Sequence, residues 1–123
     1  MFLASVALAQ PEPEESAKAK HVDAKGAALM LKKDSKIVTL DIRTPEEFKS
    51  GHIKGAKNID FRADTFESDI GKLDRSKTYL VHCASGGRSG RSLADFQKLK
   101  FKHIIHLDGG YRGWEKEGLP VVK

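Results

Sequence analysis

The sequence predicts a single α/β domain whose central parallel sheet carries helices on both faces. From residue 20 onward, short apolar runs alternate with stretches of helix-forming residues, an order typical of α/β folds. The runs at 37–40 and 78–83 are apolar almost throughout, as expected of parallel strands that are buried on both sides. With 123 residues, the chain is long enough for one domain with its own hydrophobic core.

The composition excludes several classes of protein. The 39% hydrophobic and 32% charged residues are ordinary for a folded domain, and no stretch approaches the roughly 18 apolar residues that span a membrane. The net charge of +5 comes from scattered lysines, without the basic face and interleaved aromatics that bind nucleic acid. A single cysteine excludes an internal disulfide and a multi-cysteine zinc site. We therefore expect a monomer with no nucleic-acid partner, membrane span, metal or cofactor.

The N-terminal segment differs from the rest of the chain. Residues 1–10 are apolar, and the Ala-Leu-Ala at 7–9 has the small-x-small pattern of a signal-peptidase site. The next residues, 11–15, are only proline and glutamate. We predict a signal-peptide-like segment and flexible linker over 1–19, a folded domain over 20–123, and export to the periplasm or out of the cell. The alternative is a disordered apolar tail on a cytoplasmic protein.

Two helix starts can be identified in the first half of the domain. Asp23 is a suitable N-cap for a helix over 24–31. Thr44 and Glu47 have the spacing of a capping box, and the proline between them stands at the favoured first helical position. Gly51 suits the position just after the last turn, so this second helix should be short.

The other elements follow from apolar runs separated by turn residues. The run at 37–40 is a buried-strand candidate that ends at Asp41. Further along, we predict a strand at 56–59, a short helix at 65–71, a strand at 78–83, a helix at 89–100, a strand at 103–107 and a final helix that carries Trp114. We expect Trp114 to be a core residue and His52 to be structural, at the end of a helix.

The only cysteine, Cys83, stands where an apolar strand gives way to a glycine turn and a helix. Loop amides, the positive end of a helix and the Arg88 guanidinium all stabilise negative charge there. A free thiol, with a pKa of about 8.5, is only about 3% thiolate at pH 7. Lowering that pKa by about two units takes about 2.7 kcal/mol, and a helix N-terminus supplies at most about 2 kcal/mol. Arg88 or aligned amides must therefore contribute, unless Cys83 is simply a small buried hydrophobic residue.

Asp41 and Cys83 both stand at the ends of predicted strands. The carboxyl ends of parallel strands meet at one edge of a sheet, where ligand sites form, so we expect both residues near one mouth. A catalytic pair with His82 is not expected, because neighbouring residues of a strand point to opposite faces. The same periodicity separates His103 from His106 and argues against a metal site there.

Four longer patterns occur in order along the chain. They are 41–48 (DIRTPEEF), 51–59 (GHIKGAKNI), 83–89 (CASGGRS) and 109–121 (GGYRGWEKEGLPV). At this spacing they resemble the rhodanese family of sulfurtransferases, and the resemblance extends over essentially the whole predicted domain. The chain is similar to the stand-alone, single-domain members of that family, whose fold is a parallel sheet of about five strands flanked by helices.

The resemblance implies a sulfur-carrying cysteine. In the family, the loop cysteine takes a sulfane sulfur from a small anionic donor such as thiosulfate, becomes a persulfide and passes the sulfur to an acceptor such as cyanide or a thiol. By similarity, Cys83 is that carrier, while Asp41 and Arg43 would brace the mouth of the site. The substrate-binding loop would comprise Ala84, Ser85, Gly86, Gly87, Arg88 and Ser89.

Arg88 is the expected ligand of the donor anion, because its planar fork matches an SO₃ face. The alternative is that Arg88 forms a salt bridge or supports the loop. Gly86 and Gly87 are expected to allow the backbone angles that a cradle of inward-pointing amides requires.

Two other functions use a similar loop. Tyrosine phosphatases and arsenate reductases also combine a cysteine and an arginine around a tetrahedral oxyanion, but with one more residue between them than the four that separate Cys83 from Arg88. The shorter loop favours sulfur transfer. The protein could also be a persulfide relay that hands sulfur to a partner protein, or a non-catalytic interaction domain; the retained Cys83 argues against the latter. The physiological acceptor stays open.

Overall fold

The fold is that of a computed structural model, which describes residues 18–123. Its strands are β1 (Lys20–Val22), β2 (Val38–Asp41), β3 (His52–Ile53), β4 (Lys57–Asn58), β5 (Thr78–His82), β6 (His103–Leu107) and β7 (Val121–Val122). Its helices are α1 (Ala24–Lys33), α2 (Pro45–Ser50), α3 (Phe66–Gly71), α4 (Gly87–Lys98) and α5 (Gly110–Lys116). The signal-like segment predicted over 1–19 lies outside the described residues except for its last two, and stays a prediction.

Five strands form one sheet in the order β1-β6-β5-β2-β4, and every neighbouring pair is parallel. Successive residues of β5 belong to different cores: Tyr79 and Val81 pack with residues of α3 and α4, whereas Leu80 packs with residues of α1 and α5. The helices therefore cover both faces of a parallel sheet, as the apolar runs predicted. Between residues 18 and 123, no helix has the length and apolar character needed to cross a membrane.

The helix starts read from the sequence are confirmed. The Asp23 side chain accepts a hydrogen bond from the amide of Gly26 at the start of α1. At α2, Thr44 and Glu47 form the reciprocal capping box, with proline at the first helical position. The reason is local: each cap satisfies amides of the first turn, which have no partner within the helix.

The two residues expected to be structural have that role. The Trp114 side chain is buried in the core and its indole N–H donates to the carbonyl of Pro120 at 2.9 Å. The His52 ring stacks on Phe48 with 3.7 Å between ring centroids, and its Nδ1 lies 2.8 Å from the Phe48 carbonyl oxygen.

Three short strands, β1, β3 and β7, were not predicted, and several predicted bounds shift by one or two residues. Strand β1, for example, has only three residues, two of them exposed, and so short a run shows no periodicity. Helix α4 begins at Gly87, two residues before the predicted start at Ser89. Gly86 has a left-handed backbone and takes the N-cap position, and its carbonyl accepts the amide of Gly90 at 2.9 Å.

Candidate active site

Cys83 follows the last residue of β5 at the carboxyl edge of the sheet, and its side chain is buried. The neighbouring strand β2 ends at Asp41, which pairs in register with His82. The structure therefore brings Asp41 and Cys83 to one mouth, where the strands of an open α/β sheet place their ligands.

The Cys83 Sγ atom faces several hydrogen-bond donors. The amide of Gly86 lies 3.1 Å from Sγ and the Ser89 hydroxyl lies 3.4 Å from it. Burial raises the pKa of the thiol, but hydrogen bonds from Ser89 and from the loop amides outweigh burial, so that the pKa is lowered. The donors thus favour the thiolate of a buried cysteine, which is the state a sulfur nucleophile needs.

The loop after Cys83 is shaped by a close approach to the turn that precedes α5. Gly86 has a φ of 108°, and a Cβ there would lie 2.5 Å from the carbonyl oxygen of Asp108. Gly110 has a φ of 65°, and its Cβ would lie 2.5 Å from the carbonyl oxygen of Ala84. Only glycine combines this backbone with so little room. Gly87, expected to share the role, does not, because its Cβ would meet nothing nearer than Arg91 Nη1 at 3.9 Å.

The start of α5 also binds the loop directly. The amide of Tyr111 donates to the carbonyl of Cys83 at 2.8 Å, and the amide of Arg112 donates to the carbonyl of Ala84 at 3.0 Å. These two bonds orient the first peptides of the loop, so that the following amides turn towards Sγ.

Alanine at Gly86 is expected to lower the free energy of unfolding by about 1–3 kcal/mol, because a side chain would strain the left-handed backbone and press on Asp108. Gly90→Ala is the matched control within the same helix: a Cβ there meets nothing within 4 Å and should stabilise α4 by about 0.5–1 kcal/mol. Urea unfolding of both variants measures the contrast. Equal stabilities for the two would contradict the close approach seen here.

Arg88 forms a two-pronged ion pair with Glu47, a partner from α2 that the sequence did not indicate. Its Nη1 lies 2.8 Å from Glu47 Oε1 and its Nη2 lies 3.0 Å from Oε2. These hydrogen bonds lower the pKa of Glu47 to about 2. Both terminal nitrogens of the expected anion ligand are therefore engaged with a carboxylate that also caps α2, so Arg88 fastens the loop to that helix.

The ion pair between Arg88 and Glu47 makes the free energy of unfolding depend on pH in the acid range. Because the folded pKa of Glu47, about 2, is below the value near 4.3 of an unfolded glutamate, the pair stabilises the fold above about pH 4.3, and that contribution is lost as the pH falls towards 2. We expect the stability difference between wild type and Glu47→Gln to shrink over this window in urea unfolding at several pH values. Glu46→Gln, on the exposed side of the same helix, controls for the loss of one charge. A difference independent of pH would contradict the pairing.

Asp41 and Arg43 form a buried ion pair beside Cys83. Arg43 Nη2 lies 2.7 Å from Asp41 Oδ2 and 2.7 Å from the carbonyl oxygen of Gly51. Its guanidinium carbon lies 4.2 Å from the centre of the Tyr111 ring. Arg43 thus connects the end of β2 to the end of α2 and to the start of α5, and its role in bracing the mouth of the site stays a prediction.

His82 lies beneath the site without touching the sulfur. Its Nδ1 is 2.9 Å from the carbonyl oxygen of Cys83 and its Nε2 is 3.8 Å from Asp41 Oδ2. Burial lowers the pKa of this imidazole, so that the ring is neutral and donates from Nδ1. Within the described part of the chain, no hydrogen bond joins His82 to Sγ, in line with the strand periodicity.

The sequence analysis missed His106 and Asp108 as residues of the site. His106 Nε2 lies 2.7 Å from the Ser89 hydroxyl, and its Nδ1 lies 2.6 Å from Asp108 Oδ1. The signal was available: His106 stands near the carboxyl end of a predicted strand, the edge where the Cys83 loop was expected. The sequence predicted only that His106 would not share a metal site with His103, which is exposed at the other end of β6.

Comparisons with known proteins agree with this architecture. A protein from Arabidopsis thaliana called "Thiosulfate sulfurtransferase 16, chloroplastic" is 36% identical over 92 residues, which cover 67% of this chain and 77% of that protein. "Sulfurtransferase" from Allochromatium vinosum is 25% identical over 101 residues, 82% of this chain and 92% of that one. The crystal structure of a rhodanese-related protein from Thermoplasma volcanium superposes with a TM-score of 0.69 at 30% identity, covering 84% of this chain and 97% of that one.

The family itself follows from a match that spans most of the domain. The model of the family described as "Rhodanese-like domain" matches residues 23–117, which include every element from α1 to α5. The chain belongs to the rhodanese-like domain family.

Proposed function

We propose that this protein is a sulfurtransferase that moves a sulfane sulfur through a persulfide on Cys83. The observation that carries the proposal is the setting of Sγ, which accepts from the Gly86 amide at 3.1 Å and from the Ser89 hydroxyl at 3.4 Å. Fixed donors of this kind stabilise negative charge without reorganising during the reaction. Sulfurtransferase names among the relatives support the same reaction class.

The transfer proceeds in two displacements at sulfur. The Cys83 thiolate attacks the outer sulfur of thiosulfate; a new S–S bond forms, and the bond to the SO₃ group breaks, so that sulfite leaves with the electron pair. The product is an anionic persulfide, Cys83–S–S⁻. An acceptor such as cyanide then attacks the terminal sulfur, thiocyanate leaves, and the thiolate is regenerated.

The donor anion would be held by the loop that surrounds Cys83. The first-turn amides of α4 have no carbonyl partner within the helix, and the positive end of the helix attracts anions. Arg88 lies close enough to Cys83 to interact with it electrostatically, although its two terminal nitrogens hold Glu47. On this proposal, Arg88→Gln raises the KM for thiosulfate more than it lowers kcat, because it removes binding rather than the nucleophile.

Intact mass spectrometry after incubation with thiosulfate tests the proposal. The protein should gain the mass of one sulfur atom, and cyanide should remove it with release of thiocyanate. Protein alkylated at Cys83 before incubation is the control and should gain nothing. Absence of any gain by protein with a free thiol would reject thiosulfate as the donor, and hydrolysis of p-nitrophenyl phosphate or reduction of arsenate would then favour a phosphatase or arsenate reductase.

The same samples distinguish an enzyme from a persulfide relay. Rapid turnover with thiosulfate and cyanide would favour the free enzyme. Slow turnover, combined with fast transfer of the bound sulfur to a thiol on a second protein, would favour a relay that serves a partner protein. Both use the same Cys83 persulfide.

A further inference from the structure

A continuous chain of hydrogen bonds leads from Cys83 through the domain to its surface. The Ser89 hydroxyl lies 3.4 Å from Cys83 Sγ and 2.7 Å from His106 Nε2. On the other side of the ring, His106 Nδ1 lies 2.6 Å from Asp108 Oδ1. Ser89 and His106 are 0% and 4% exposed, respectively, whereas the Asp108 side chain is 54% exposed. The loop amides would stabilise a thiolate by themselves. The contacts among Ser89, His106 and Asp108 are additional to them and need a separate explanation.

The direction of each hydrogen bond follows from the charge on Asp108. Burial raises the pKa of this carboxyl group, but hydrogen bonds from His21 and His106 outweigh it, so that the pKa is lowered and the group is a carboxylate. A carboxylate only accepts, so His106 Nδ1 must carry a proton. In a neutral ring, Nε2 then accepts, and the Ser89 hydroxyl donates to it. While Cys83 is a thiol, the Ser89 oxygen is then free to accept its S–H; the donation from Ser89 to Sγ described above belongs to the thiolate.

We propose that His106 is the base that takes the Cys83 proton, and that the Ser89 hydroxyl passes it on. This inference rests on the proposed function of Cys83 as a sulfur nucleophile. The S–H bond breaks as its proton moves to the Ser89 oxygen, and the proton that Ser89 carried moves to His106 Nε2. The electron pair stays on sulfur. The product is a thiolate that accepts from Ser89 and an imidazolium that donates to both Ser89 and Asp108.

Asp108 acts as a positioning residue in this chain. It holds His106 in the tautomer whose Nε2 faces Ser89 and stabilises the imidazolium once it forms. An imidazole is suited to the task because it accepts and releases a proton near neutral pH. No proton has to enter or leave the protein for the thiolate to form, since the transfer is internal.

Several charged or titratable groups face His106. On β1, His21 pairs with it in register, stacks edge-on with 5.3 Å between ring centroids, and donates to the same Asp108 oxygen at 2.7 Å. On β5, the buried His82 lies close enough to interact with it electrostatically. From α4, Ser89 connects it to Cys83. Of these groups, only Asp108 and, once it is ionised, Cys83 carry negative charge.

The test is the pH dependence of Cys83 alkylation by iodoacetamide, which follows the thiolate fraction. The chain has one cysteine, so the rate reports on this thiol alone. In His106→Gln, we expect alkylation at pH 7 to slow about tenfold, because loss of a nearby positive charge raises a thiol pKa by about one unit or more. In Ser89→Ala, the rate at pH 7 should also fall, because the hydroxyl that joins the sulfur to His106 is gone. At high pH, where every variant is fully thiolate, the rates should equal that of the wild type. His103→Gln, the same change at the exposed end of β6, is the control and should follow the wild type throughout.

Three results would overturn the proposal. One is a His106→Gln profile that overlays the wild type, which would leave the loop amides as the sole source of thiolate. Another is a uniform loss of rate at all pH values, which would indicate a structural role. The third is wild type that, after treatment with EDTA, behaves like His106→Gln; this would assign the effect to a divalent cation between His21, His106 and Asp108, whose ligand atoms lie within 4.8 Å of one another. Alkylation uses no sulfur donor, so this proposal and the sulfurtransferase proposal can fail separately.

Discussion

Replacing Cys83 by serine is expected to abolish sulfur uptake and to lower thiocyanate formation to the uncatalysed level. Removal of a catalytic nucleophile costs at least about three orders of magnitude in rate in comparable cases, because a serine hydroxyl cannot carry the sulfur as a persulfide. The Gly86 amide that now lies 3.1 Å from Sγ can donate equally well to a hydroxyl oxygen, so the fold should persist. Thiocyanate assays and intact mass spectrometry measure the loss.

The matched control for Cys83→Ser is Gly90→Ala: Gly90 directly follows the loop over 84–89, and a Cβ there meets nothing within 4 Å. It should retain full sulfur uptake. Thermal unfolding of Cys83→Ser establishes that the loss of activity is not a loss of fold. A Cys83→Ser variant that still gains one sulfur from thiosulfate would show that the sulfur is bound elsewhere, and would end the persulfide proposal.

Replacing Arg43 by methionine is expected to be the most destabilising single change. Asp41 and Arg43 are 0% and 5% exposed, and removing one partner of a buried ion pair costs about 3–5 kcal/mol, because the other charge stays buried without a counter-charge. The change also removes the hydrogen bond to the Gly51 carbonyl. Since whole domains are stable by only about 5–15 kcal/mol, urea unfolding should show a large shift of the midpoint.

Two further variants separate the effect of the lost charge on stability from the effect of altered packing. Asp41→Asn combined with Arg43→Met should recover part of the lost stability, because no charge is then left buried. The side-chain oxygen at position 41 can still accept the backbone N–H of residue 43, which lies 3.0 Å from Asp41 Oδ1 in the wild type. Lys98→Met breaks the exposed pair with Glu67 and should cost less than about 1 kcal/mol. A double variant no more stable than Arg43→Met alone would mean that packing, not charge, dominates.

Sequence reasoning predicted those parts of the fold that depend on neighbours in the chain. Apolar runs predicted β2, β5 and β6 to within a residue or so, since burial on both faces requires apolar side chains throughout. Asp23 and Thr44 were identified as caps because a cap bonds to amides two or three residues away. The same reasoning failed for β1, whose three residues become a strand only by pairing with β6.

The candidate site likewise has features that follow from contiguous residues and features that depend on contacts between distant segments. The sequence by itself determined that Cys83 follows a strand and precedes a helix, because those elements and the glycine turn are contiguous. Tertiary structure alone decided that Arg88 pairs with Glu47, 41 positions away, and that Ser89 meets His106, 17 positions away. It also decided that the turn before α5 approaches the loop so closely that Gly86 and Gly110 have no room for a side chain. Contacts between distant segments depend on how strands are ordered in the sheet, and no local pattern of residues encodes that order.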